Sequence, residues 1–343
     1  MTGRTQQREI TESVPLLDGR GKLVKPGYAR KMLFHYDRGK VRAGPFSLKE
    51  WDFYQITAGE YVLQMTIGHV SYVASFSAAL LHPATGTCRR FTRLSPLPLR
   101  SLAMPENPEE PNTVQAEGKD YRIRFETLPD RRVLSLHAKD GQLGSVDIEV
   151  SLKNDPENEK MVIATPFFKD RQFYLNYKEN YYGASGRAQI GDLKAEFGPE
   201  DTALMDWGRG VWPFKHEWFW GNGAAFIDGG RFGFNIGWGF GDLRNATENM
   251  FFWNGRAYKL GALQVERDTR DYMAPWRFRD EDGCFDLTMT PVYDNYTETK
   301  IAFINTHCHQ VFGKYSGAAV LPGGDRIEVR DLPAFCEHAE NRW

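Results

Sequence analysis

The sequence predicts an all-β protein of meander type with few short helices. Apolar and polar residues alternate with the period of a strand through most of the chain. The alternating runs are separated by residue pairs that close hairpins. No segment sustains a helical period for more than about three turns. A long meander leaves unpaired edges, and closing the sheets into barrels removes them. The 343 residues allow two domains or one large β architecture. Aromatic residues at 14% with 33 glycines suit strands joined by tight turns, or a cavity walled with rings.

Taken in order, alternation marks strands at residues 61–67, 121–125, 146–152, 231–240, 285–289 and 301–309. Turn chemistry separates them at Leu128-Pro129-Asp130, Lys139-Asp140-Gly141, Trp253-Asn254-Gly255, Asp282-Gly283 and Pro322-Gly323-Gly324. The clearest run is 231–240, where Phe232, Phe234, Ile236, Trp238 and Phe240 form one face. Its other face carries Gly233, Gly237 and Gly239, which either admit a close neighbour or leave empty volume. Residues 103–111 are acidic and proline-rich and read as an exposed connector, and 153–160 read as a second break. Only Trp51 of nine tryptophans precedes that break. We therefore expect two β domains, residues 1–170 and 171–343, with the ring-rich second one carrying the site. No internal repeat is visible at solenoid or propeller periods.

Composition narrows the partners. Lysine and arginine number 43 against 45 acids, so there is no excess of positive charge to neutralise phosphates, and nucleic acid is not expected. The longest apolar run, 72–81, is interrupted by Ser75 and Ser77 and is shorter than the roughly 20 residues of a membrane-spanning helix. The first twenty residues lack a signal-type apolar core, and Cys88, Cys284, Cys308 and Cys336 show no paired spacing, so a cytoplasmic protein with reduced thiols is expected. Phosphate-loop, nucleophile-elbow and EF-hand motifs are missing from the sequence, and no cofactor is implied. The oligomeric state is left open.

Four clusters bear chemistry. Residues 206–220 bring Asp206, Arg209, His216 and Glu217 together with Trp207, Trp212, Trp218 and Trp220. Glycine and proline there imply a turn leading into a strand from Glu217, which places Asp206 and Arg209 at a turn or barrel mouth. A carboxyl held against indole faces is desolvated and can stay protonated as a general acid. The alternative is that Asp206 pairs with Arg209 while the indoles fill a core. Glu248 and Asn249 lead into an aromatic strand; on alternation Glu248 shares the side of Met250 and Phe252, either as an inward acid or as a backbone acceptor at the strand entry. His307 and His309 project from one strand face as half of a metal site whose second half is not supplied locally, so a hydrogen-bonded histidine is the favoured reading and no metal is assigned. The closing segment, with Glu337, Arg342 and Trp343, is too polar for a core strand and too aromatic for a free tail, and is expected to dock.

At these clusters the sequence resembles the domain-of-unknown-function family 2804 over nearly its whole length. The residues that carry the resemblance are Leu17 to Leu23, Gly27 to Arg30, Lys49 to Tyr54, Asp206 to Gly210 with Trp212-Pro213 and Glu217-Trp218, Glu248-Asn249, His309 to Gly313, and Glu337 with Arg342-Trp343. Tyr28 stands where that family has Trp, and Lys31-Met32 where it has Pro-Leu. The resemblance implies two lipocalin-like, calycin-type antiparallel β-barrel or sandwich halves side by side. It also implies a distant relation to the carotenoid hydratase and attachment-protein (AttH) group of hydratases, cyclases and lipid-handling proteins.

Three functions compete. The first is an enzyme acting on an isoprenoid, polyene, polyketide or lipid, with Asp206 protonating a double bond, Glu217 and Glu248 positioning it, and tryptophan faces stabilising the cation. Arg209, Trp212, Trp218, Trp220, Asn249, His309 and Glu337 would then line the ligand. The second is a carrier that uses the same cavity without chemistry. The third is carbohydrate processing, since paired carboxylates and stacked indoles also suit sugars.

Overall fold

The computed structural model describes residues 5–44, 46–96, 102, 104–301 and 303–343. Among them, helix is confined to two 3-10 turns, Arg38–Lys40 and Pro83–Thr85. Two large antiparallel sheets follow one another along the chain, each curled into a lipocalin-like half-barrel. Both halves are built in the same way. In the first, the meander Leu48–Ala58, Tyr61–His69, Val73–His82 and Thr87–Pro96 is joined to a second group running from Asn112–Glu117 to Phe173–Ile190 by one late strand, Thr202–Val211. In the second half, Arg326–Arg342 joins the outward meander from Lys215–Ile227 to the returning group that ends in Ile304–Val320. The last strand of each half is therefore central in its sheet.

The changeover between sheets falls at residues 212–214, whereas composition suggested a division at 170. Phe173–Ile190 and Thr202–Val211 are hydrogen-bonded into the first sheet, so the ring-rich stretch that begins near Trp207 straddles the changeover. Of the strand expected over 301–309, residues 304–309 are strand, within Ile304–Val320, while Ile301 ends the preceding strand and pairs with Ile304 across a hairpin; residue 302 lies outside the described residues. Alternation cannot reveal a hairpin whose two strands meet at the same apolar residue, Ile301 and Ile304.

Alternation also explains why each half has its own core and further apolar clusters lie between the halves. One fills the first half, with Tyr54, Leu134 and Trp207 fully buried, and a second fills the other half around Phe232, Phe234, Ile236, Trp276 and Val311. Three smaller clusters lie between the halves, where Phe53 meets Trp220, Tyr174 meets Phe240 and Tyr181 meets Phe252. The glycine face of Gly230–Trp238 admits close neighbours from this interface. A Cβ at Gly233 would lie 2.5 Å from the Tyr181 hydroxyl, and one at Gly237 would lie 2.2 Å from the Glu248 carboxylate. Tyr181 reaches this position through a bulge in Phe173–Ile190, where its φ is 72°.

Two polar segments are more integrated than their composition suggests. Ala103 lies outside the described residues, but in the rest of the expected connector Met104 and Pro108 are buried. The backbone carbonyls of Met104, Pro105 and Pro108 accept from Arg38, Arg209 and Arg132. This connector is a strap that satisfies three guanidiniums. The closing segment is paired on both sides within Arg326–Arg342, a polar strand because one face lines the interface. All four cysteines are free. Among the described residues no helix is long and apolar enough to cross a membrane.

Candidate functional site

The Asp206 to Gly210 motif is mid-strand, not a turn. On a strand Trp207 and Arg209 share one face while Asp206, Gly208 and Gly210 share the other. The glycines belong there because large groups cover them. A Cβ at Gly208 would lie 2.4 Å from the Trp51 indole, and one at Gly210 would meet the Phe173 carbonyl at 2.3 Å. A Gly208→Ala substitution should therefore displace Trp51 and cost about 1–3 kcal/mol. Urea melts check this, and an unchanged midpoint would show that the ring yields freely.

Asp206 faces a chamber of about 210 Å³ between the two halves. Its walls come from both sheets: Trp51, Phe53, Thr66, Tyr174 and Lys178 from the first, and Trp218, Trp220, Phe240, Glu248, Glu337 and Trp343 from the second part of the chain. The site thus does not belong to the second half alone. In each half the central strand supplies one acid, and the neighbouring long strand sets a polar residue directly opposite. Lys178 is in register with Asp206, and Gln310 with Glu337.

The polar groups form a closed set of contacts inside an aromatic wall. The Lys178 ammonium donates to Glu248 Oε2 at 2.6 Å and lies 4.3 Å over the Trp220 ring. Asn235 holds that carboxylate from behind at 3.0 Å and accepts from Trp220 Nε1 at 2.7 Å. Asn176 Nδ2 donates to Asp206 Oδ1 at 2.5 Å. Trp218 Nε1 donates to Glu337 Oε1 at 2.7 Å, and Gln310 Nε2 to Glu337 Oε2 at 3.2 Å.

These surroundings leave the two remaining acids reluctant to ionise. Burial raises the Asp206 carboxyl above its usual range, against the opposing pull of the Lys178 ammonium and the Asn176 amide. Burial pushes Glu337 up to about 7; the Trp218 hydrogen bond opposes this and the neighbouring Asp206 charge adds to it. The residual exposure of Glu337 is to the cavities it lines. With Lys178 paired to Glu248, ionising both acids would place two charges among rings without a cation of their own, which is why both carboxyls are raised.

The structure brings together Asp206, Glu248, Trp218, Trp220 and Glu337, and it separates the other expected site residues. Arg209 does not pair with Asp206. It is fully buried on the opposite strand face, where Nη2 donates to Asp52 at 2.8 Å and the guanidinium stacks 3.9 Å from Trp207. Glu217 points away from Trp218 by alternation, with a 57% exposed side chain 3.9 Å from His338. Asn249 is a backbone clamp: its Oδ1 accepts from Gly237 N and its Nδ2 donates to Gly261 O. Trp212 stands behind the wall, packed on Trp51, Tyr174 and Phe240. His309 lies on the other face from Gln310, stacked 3.8 Å from Tyr272 and bonded through Nδ1 to Asp294. His307 Nδ1 faces the Tyr296 hydroxyl at 3.0 Å. Among the described residues no three His, Cys, Asp or Glu side chains are grouped to hold a metal ion.

Lys178 was not singled out in the sequence. The available signal was the ladder Tyr174, Asn176, Lys178 and Asn180 on one face of the strand, opposite Phe173, Leu175 and Tyr177.

The family described as "Domain of unknown function (DUF2804)" matches residues 7–343. Among solved structures the chain is similar to CghA with Sch210972, at 8% identity, covering 99% of this chain and 97% of that one with a TM-score of 0.52. It is also similar to kievitone hydratase from Nectria haematococca, at 11% identity, 90% and 92% coverage and a TM-score of 0.48. A third is a putative AttH from Nitrosomonas europaea, at 13% identity, 90% and 96% coverage and a TM-score of 0.45. No curated protein matches the chain. At 8% identity the likeness to CghA speaks for the fold alone.

Proposed function

The chain belongs to the DUF2804 family, and from that premise we propose that it binds a mostly apolar small molecule between its halves and protonates it there. The observation that carries this reading is the position of Glu337. Both of its oxygens already accept from protein donors, Trp218 and Gln310, and its burial favours the protonated form. A proton on either oxygen is then free to be directed at a ligand in the cavities that Glu337 lines. Sequence reasoning gave this role to Asp206; the geometry supports Glu337 as donor and Asp206 as the second acid that keeps the proton on the pair.

The reaction class that suits such a site is acid-initiated hydration or cyclisation. The Glu337 proton adds to one carbon of a double bond, and the cation on the other carbon lies among the indole and phenyl faces of Trp51, Trp218 and Phe240. Water or a hydroxyl of the substrate then bonds to that carbon and loses its proton, which returns to the Glu337 carboxylate. One face of Trp220 is already covered by Lys178, which makes that ring a poorer cation stabiliser. Walls that are mostly ring surface, with Lys178, Asp206, Glu248 and Glu337 already bonded to protein groups, favour an apolar occupant over a sugar, which needs free partners around its whole rim.

The test is solvent extraction of the protein purified from its own host, followed by mass spectrometry. An unsaturated apolar molecule, converted to an isomer or hydrate on incubation with fresh protein, is expected. Recovery of the molecule unchanged by parent and by Asp206→Asn alike would make the protein a carrier, and a glycan would refute the proposal.

A further inference from the structure

Glu337 also borders a second cavity. This annex, of about 160 Å³, shares Phe53, Thr66 and Glu337 with the chamber. Its other walls reverse the chemistry, with Gln64, Asn295, Gln310 and Arg90 in place of rings. The Glu337 carboxyl stands between the two spaces, with Oε1 bonded to the chamber tryptophan and Oε2 to Gln310 of the annex.

The arginines of Thr87–Pro96 show which charge is left over. Arg89 is paired with Asp192 at 2.7 Å, and Arg93 with Asp120 and Asp140 at 2.7 and 3.1 Å. Arg90 instead donates to a neutral amide, Asn295 Oδ1, at 3.2 Å, and among the described residues no carboxylate lies within ion-pair distance of it. It is exposed, so the annex has a cation at its open rim.

We infer that the annex receives the anionic head of the substrate, a carboxylate, anchored by Arg90, while the apolar part lies in the chamber against Glu337. This inference rests on the apolar-ligand reading above and names the substrate class. A guanidinium offers paired donors matched to the two oxygens of a carboxylate. An amphipathic ligand would keep its head near water and its tail among the rings, which fixes the part of the tail that meets the acid. A bound anion would also favour the protonated form of Glu337, so occupancy would support proton donation.

The test compares decanoate with methyl decanoate, which share a tail and differ in charge, by quenching of tryptophan fluorescence at neutral pH. The parent should bind decanoate about tenfold more tightly than the ester, the worth of one hydrogen-bonded charge contact. Arg90→Gln should bring decanoate to the level of the ester and leave the ester unchanged, with Arg90→Lys between. Equal binding by the parent, or a preference that survives Arg90→Gln, overturns the head-group site and leaves the apolar chamber standing. If neither probe quenches, the apolar-ligand reading fails and this inference with it.

Discussion

A Glu337→Gln variant should lose acid-initiated turnover by about 10²–10⁴-fold and should flatten the dependence of stability on pH. The folded carboxyl titrates at about 7 against an ordinary value of 4.5. Between those values the folded chain holds a proton that the unfolded chain has released. The contribution of this group to stability is therefore fully present below pH 4.5 and is lost as pH rises through 7. The interval corresponds to about 3 kcal/mol. Glutamine keeps the size and the acceptor for Trp218 Nε1 but does not titrate, so urea midpoints at pH 5 and pH 8 should differ much less than in the parent. Its amide faces a donor in Gln310, and the Gln310 and Gln64 amides would have to turn over to accommodate it. Equal pH slopes in variant and parent would place the retained proton elsewhere, with Asp206 the next group to test.

Arg209→Met should be among the most destabilising single changes in the chain, at about 3–5 kcal/mol. Arg209 is fully buried, with Asp52 at 2.8 Å and Glu50 at 3.5 Å. Burial raises the Asp52 carboxyl and the guanidinium opposes it. Glu50 is also pushed up by burial, yet bonding from His69 together with the charges of Arg209 and Arg38 holds it at about 2. Removing the guanidinium leaves Asp52 a buried charge with its main partner gone, while Glu50 keeps Arg38 and His69. It also frees the Pro105 carbonyl, one of the anchors of the strap. Combining Arg209→Met with Asp52→Asn should recover part of the loss, because the charge that lost its partner goes too. A loss within about 1 kcal/mol in denaturant melts would mean that water replaces the guanidinium. Because Arg209 does not line the chamber, ligand binding per folded molecule should be little changed, in contrast to Glu337→Gln.

Much of this was legible in the residues. Alternation at 231–240 identified both the strand and its glycine face, and the concentration of indoles around Asp206 pointed to an acid held against rings; Glu337 was expected only to line the ligand. What misled was local chemistry read without partners. Gly208 and Gly210 look like turn residues, but they are strand positions flattened by Trp51 and by the Phe173 backbone. Asp206 and Arg209 look like a pair because they are close in sequence, but a spacing of three on a strand puts them on opposite faces. Lys178 is far from every cluster in sequence and meets Asp206 only through the pairing of two strands.

The sequence by itself determined that strands form, where five of the hairpins close and which side chains are too apolar or too aromatic to face water. These are decisions of period and composition, settled within about ten residues. The tertiary structure decided that the last strand of each half is central, and so that Asp206 and Glu337, 131 positions apart in the chain, border one chamber. Proton affinity is set by desolvation and by neighbouring charges, and both depend on which strands become adjacent, a relation that no local window contains.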